Sequence, residues 1–164
     1  MIESERLAAV LAAMQLNVAG ILLATLVMGC ETNHATGPYF KEVLRPNADE
    51  AIVYFYRPPR PEAPKYSSWI YASHDLIGTL DHGGYFIYIA APGRYRFSLS
   101  PKDNPDDLWL SFKGGQIAYI KWDYISKSVW WQSYGEVFNI SVKLVDGEEA
   151  AEELLRCRLM ERKD

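Results

Sequence analysis

The chain has 164 residues, 49% of them hydrophobic and 13% aromatic, with a formal net charge of −4. That length fits one domain around one core beyond any leader, and the acidic balance leaves no electrostatic footprint for nucleic acid. Two cysteines, Cys30 and Cys157, supply neither a C-x-x-C pair nor a metal-spaced set.

Residues 18–28 form an apolar run with the length of a signal-peptide core, short for a membrane span. Leu26-Val27-Met28-Gly29 then leads into Cys30, and Glu31-Thr32-Asn33 turns polar at once. A small residue before a cysteine at the end of such a run resembles the processing site of bacterial lipoproteins. The resemblance implies cleavage before Cys30 and a lipid on its thiol, palmitate among its acyl chains. Residues 1–29 are then the signal peptide. Before the run, Glu3 and Glu5 stand against Arg6, where a positive balance is the rule. Residues 7–28 are broken only by Gln15 and Asn17, so an uncleaved anchor helix is the alternative. Either places the remainder outside the cytoplasmic membrane, in the cell envelope. An Asp after the lipidated cysteine usually signals inner-membrane retention. Glu31 is a weaker version, so the expectation is the outer membrane, facing the periplasm, with an inner-membrane anchor as the alternative. With Cys30 acylated, Cys157 has no disulfide partner.

Residues 30–49, with Gly37-Pro38 and Pro46 and little periodicity, read as a tether, leaving residues 50–164 as the domain. Residues 51–56, Ala-Ile-Val-Tyr-Phe-Tyr, are apolar on both faces, as in a central buried strand. Residues 57–64 hold four prolines and predict a stiff, extended, slightly basic loop. Residues 67–72 and 76–80 flank Ser73-His74-Asp75 as a hairpin, and Asp81-His82-Gly83-Gly84 is a turn. Residues 85–90 are a strand closed by Pro92-Gly93. Residues 94–100 alternate, which predicts Tyr95, Phe97 and Leu99 inward and Arg94, Arg96 and Ser98 toward water. Residues 107–112 and 116–125 predict a hairpin around Lys113-Gly114-Gly115. Residues 137–145 alternate with Phe138, Ile140, Val142 and Leu144 inward. Asp146 and Glu149 open a C-terminal helix as a capping box, with Ala151, Leu155 and Leu159 as its apolar stripe. About seven to eight short strands at this spacing predict a single, mainly β sandwich with a C-terminal helix, preceded by the signal or anchor helix.

Val53-Tyr-Phe-Tyr-Arg-Pro58, then Gly78, Leu80, Gly83 and Tyr85, Pro92-Gly93, Gly114-Gly115 and Tyr119, together resemble a widespread bacterial lipoprotein domain of unknown function. The similarity covers about residues 51–159 and rests on order and spacing. It implies a transthyretin-like or immunoglobulin-like sandwich on a lipid anchor and implies no enzyme activity. The proline-rich loop and Trp130-Trp131 depart from that pattern.

His74-Asp75 and Asp81-His82 pair imidazole with carboxylate, but neighbouring strand residues point to opposite faces, so both pairs read as solvated turn residues. His34 falls in the tether. Residues 103–107, Asp-Asn-Pro-Asp-Asp, lack the loop glycine and distal Glu of a calcium loop and read as an ordinary acidic loop. No nucleophile elbow, P-loop or dinucleotide pattern occurs. The expectations are no catalysis, no cofactor and no metal. Cys157 reads as a buried small hydrophobe. The suggestive surface is aromatic: Trp109 alternates out against Leu108 and Leu110, while Trp130, Trp131 and Tyr134 precede the last strand. These rings could receive an envelope protein or stack on a glycan such as peptidoglycan, or Trp130 and Trp131 could close one end of the sandwich. The expected function is a lipid-anchored, non-catalytic interaction or structural module, with a carbohydrate-binding module as the alternative.

Overall fold

The computed structural model describes residues 35–61, 63, 65–102, 107–127 and 137–160. The chain divides into two units, Met1–Thr32 and Asn33–Asp164, and every described residue belongs to the second. The expected signal or anchor helix, the expected lipidation at Cys30, and His34 all fall outside the described residues.

The described residues form nine strands in two sheets: β1 (Ala51–Tyr56), β2 (Ser68–Ala72), β3 (Asp75–Leu80), β4 (Gly84–Ala90), β5 (Gly93–Ser98), β6 (Leu108–Phe112), β7 (Ile117–Lys127), β8 (Val137–Val145) and β9 (Arg158–Leu159). A short helix, α1 (Gly147–Leu154), precedes β9. One sheet has the order β8-β7-β1-β4-β9 and the other β3-β2-β5-β6, a mainly β sandwich as the strand spacing predicts.

β1 is central in the five-stranded sheet, paired antiparallel with β4 and parallel with β7. Period-two alternation divides it between two cores. Val53 and Phe55 point into the layer between the sheets, with Ile70, Phe86, Phe97 and Trp122. Phe55 lies 5.0 Å from both the Phe86 and Phe97 ring centres. Ile52, Tyr54 and Tyr56 point the other way, into a second cluster with Phe40, Ala150, Leu154 and Cys157. A strand covered on both faces must be apolar at every position, which is what residues 51–56 encode.

The residues that cover the second face correct the tether assignment. From Ala35 onward this segment is docked on the domain. Phe40 is buried, its N–H donates to Cys157 O at 3.1 Å, and Leu44 N–H donates to the Tyr54 hydroxyl at 2.7 Å. Tyr39 bridges to Arg158. The outer face of β1 would otherwise expose three large side chains, and the segment supplies their cover together with α1.

Strands β6 and β7 do not form the expected hairpin. β6 pairs with β5 in one sheet, and β7 with β1 and β8 in the other. The Lys113-Gly114-Gly115 turn crosses between sheets. A side chain at Gly114 would collide with Ala48 O, and Gly115, at φ 76°, donates to Glu50 O at 2.8 Å. The glycines thus bring β7 alongside β1 in parallel.

Three further readings shift. Arg96 and Ser98 are buried rather than turned to water: the Ser73 and Pro101 carbonyls accept from the Arg96 guanidinium, and Ser98 Oγ donates to Ser100 O at 2.6 Å; Leu99, past the strand end, is 38% exposed. Asp146 caps α1, accepting from the N–H groups of Glu148 and Glu149 at 2.9 Å each. The helix ends at Leu154, so its buried stripe is Ala150, Leu154 and then Cys157; Ala151 and Leu155 face solvent, and Leu159 belongs to β9. On β8, Ile140 and Val142 pack inward, but Leu144 is 51% exposed.

Candidate functional site

Three regions could carry function: the outer face of the four-stranded sheet, the titratable groups around the other sheet, and the open side of the sandwich between β3 and β4.

On the first, Trp109 is exposed. The guanidinium of Arg94 lies 4.6 Å from its ring centre, a cation–π contact that holds the indole in one orientation. Trp69 is also more than half exposed, between buried Ser68 and Ile70. The same alternation turns Tyr71 outward. Tyr71 pairs with Ser98, and Arg96 with Trp109. The Tyr71 and Trp109 positions are therefore two strands apart, roughly 10 Å, and offset by about 7 Å along the strand direction. Trp69 lies two residues farther along β2 from Tyr71, away from the level of Trp109. Trp69 and Tyr71 were legible from Ser-Trp-Ile-Tyr-Ala by the argument that turns Trp109 outward. Trp130, Trp131 and Tyr134 lie outside the described residues; among the described residues, Trp109 shares its sheet face with Trp69 and Tyr71.

The titratable groups lie at the β2–β3 turn, along the proline-rich loop and under α1. His74 and Asp75 sit exposed at the β2–β3 turn, where Ser73 takes φ 58°. Asp81 and His82 are buried, not solvated. The Asp81 carboxylate accepts from the Ser67 hydroxyl, and His82 Nε2 lies 2.9 Å from Arg60 N and 2.8 Å from Arg60 O. His82 thus pins the proline-rich loop, as do Arg57 donating to Tyr66 O at 2.6 Å and Arg60 paired with Asp123 at 2.7 Å, while Asp81 holds Ser67 just beyond it. That loop is therefore folded onto the domain, with Arg57 fully buried. Asp107 stands 3.6 Å from Arg96, while residues 103–106 lie outside the described residues.

Under α1, buried Lys121 pairs with Glu153 and with Glu149 at 3.3 Å, and Glu153 also accepts from the Tyr56 hydroxyl at 2.8 Å. Hydrogen bonds from Lys143 and Lys121 hold the Glu149 carboxyl below its ordinary range. Burial raises the Tyr56 phenol, and the adjacent Glu153 adds to the rise. Burial pushes the Cys157 thiol up to about 12, so it stays protonated at neutral pH and is a poor nucleophile. Each of these groups ties one element to another. Among the described residues, no group of three or more His, Cys, Asp and Glu side chains is placed to hold a metal ion.

The third region is a groove of about 580 Å³ between β3 and β4, lined by Leu76, Ile77, Phe86, Tyr88, Ile89 and Met160 among others. Leu76 and Ile89 are more than half exposed at its rim. Comparison with protein-family models, with curated proteins and with solved structures finds no match for this chain.

Proposed function

We propose that this chain is a non-catalytic binding module of the bacterial cell envelope, held by a lipid on Cys30, whose ligand surface is the outer face of the four-stranded sheet. The ligand class this face fits best is carbohydrate, with peptidoglycan as the envelope glycan. The observation that carries the reading is that Trp69 and Trp109, both more than half exposed, lie on one sheet face, with Tyr71 between their levels along the strand direction. Indole rings take the C–H faces of pyranose rings. Arg94, whose guanidinium lies over the Trp109 ring, and Ser111, paired with it across β5 and β6, supply donors for sugar hydroxyls beside the indole. The non-catalytic part of this reading is supported by the buried groups Asp81, His82, Lys121 and Cys157, each of which holds a loop, strand or helix in place.

The lipid supplies the location. Each acyl methylene buried in the bilayer contributes about 0.8 kcal/mol, so one chain binds reversibly and several bind firmly. A tethered module also meets the sacculus at high effective concentration, so weak stacking suffices. Two measurements test the proposal. In cells given labelled palmitate, wild-type chain should take up label and Cys30→Ser should not; label on Cys30→Ser overturns the anchor. Purified chain should cosediment with isolated peptidoglycan sacculi; failure to do so overturns the ligand class.

A further inference from the structure

The tryptophan face leaves the open side of the sandwich unused. β4 is paired with β1 along its whole length, but on its other side only Gly84 and Tyr85 are paired, with β9. Arg57 N–H donates to Gly84 O, and Met160 N–H donates to Tyr85 O, both in good geometry at 2.9 and 2.8 Å. The alternation of an antiparallel ladder then directs the backbone of Phe86, Tyr88 and Ala90 to β1, and that of Ile87 and Ile89 to the open side. Among the described residues no strand pairs with Ile87 or Ile89 there.

Sheet edges are normally blunted by charge, proline or a covering element. Here the open stretch is Phe-Ile-Tyr-Ile-Ala, without charge or proline, and among the described residues no strand covers it. It borders the groove, lined by apolar side chains and by strand backbone, where β3 and β4 are not hydrogen-bonded to each other. β9 already shows what this edge accepts: a strand laid in parallel, whose next residue, Met160, packs against the intersheet core.

We propose that the β4 edge beyond β9 receives an extended peptide segment of a partner protein by strand addition. The unpaired backbone groups select a strand, since a strand repeats donors and acceptors at their spacing. The groove selects apolar side chains at alternate positions of that strand, directed between β3 and β4. Residues 161–164, Glu-Arg-Lys-Asp, carry four charges and supply no such side chains.

The test uses the full-length chain in detergent micelles. Random linear peptides displayed on phage are panned against it, and the winning sequence is synthesised with a fluorophore. Enriched sequences should alternate apolar residues. Binding should slow amide exchange at Ile87 and Ile89. Ile89→Pro deletes an outward N–H without touching a β1-facing pair, and should weaken binding about tenfold, the scale of one lost hydrogen bond. Leu76→Glu, at an exposed rim position that leaves folding untouched, should weaken it similarly. Trp109→Ala should leave it unchanged, which separates this surface from the carbohydrate face. No enrichment, equal binding by the Ile89→Pro and Leu76→Glu variants, or unchanged exchange at Ile87 and Ile89 overturns the proposal. So does self-association lost in Ile89→Pro, which would make a second copy the occupant, or tighter peptide binding on deletion of residues 161–164, which would make the chain's own end the occupant.

Discussion

The Phe40 ring stands edge-on to Tyr54, with ring centres 5.8 Å apart and an interplanar angle of 86°. It meets Tyr85 in the same way at 5.5 Å. A residue that precedes the first strand thus completes the second core. Phe40→Ala should cost about 3 kcal/mol, the lower end for a buried phenylalanine. The urea unfolding midpoint reads this directly. An unchanged midpoint would mean that residues 35–49 are a mere linker.

Leu154 and Leu155 are adjacent, yet the first is fully buried and the second 60% exposed. Leu154→Ala should destabilise by about 2–5 kcal/mol and Leu155→Ala by no more than about 0.5 kcal/mol. Phe55→Ala, in the intersheet core, should cost about 3–5 kcal/mol. Equal effects at the two leucines in chemical denaturation would show that the helix is rotated from its described position.

The Glu149 carboxyl has its folded-state pKa lowered by the Lys143 and Lys121 hydrogen bonds. Its contribution to stability is therefore complete above its ordinary value of 4.5 and is lost as pH falls through the folded value. The Tm difference between wild type and Glu149→Gln should be largest near neutral pH and should close below that window. A difference that grows on acidification contradicts the ion-pair assignment.

Cys157 is fully buried and its thiol is raised from 9.0 to about 12 by burial. A water-soluble disulfide reagent at neutral pH should leave it unmodified in the folded chain and modify it promptly in denaturant. The raised value also means that stability contributed by the neutral thiol falls as pH rises from 9.0 toward 12. Rapid labelling of the folded chain would place the thiol at the surface.

Most of the fold was legible because the strand signals are local. The two-faced apolar run at residues 51–56 identified the central strand. The alternation around Trp109 gave its exposure, and Asp146 gave the helix start. The readings that shifted depend on contacts far apart in the chain. Nothing local tells that Phe40 fills a hole under Tyr54, or that Gly114 must lie against Ala48 so that β7 joins β1 instead of β6. Arg96 reads as a solvent residue until Ser73 and Pro101 bring carbonyls over it. Asp81 and His82 read as turn residues until Ser67 and the proline-rich loop meet them. On the candidate face, Trp109 was found but Trp69 was not, although both alternate against buried neighbours.

The central claim, binding through the tryptophan face, is tested most directly by titrating peptidoglycan fragments into wild-type chain and a Trp69→Ala/Trp109→Ala variant in a calorimeter, with unfolding curves alongside. Each stacked ring contributes on the order of 1 kcal/mol, so the double variant should bind roughly 30-fold more weakly. Its stability should change by less than about 1 kcal/mol, the worth of the exposed contact between Arg94 and Trp109. Equal affinity in the two chains, or a variant that loses binding only because it unfolds, would contradict the account.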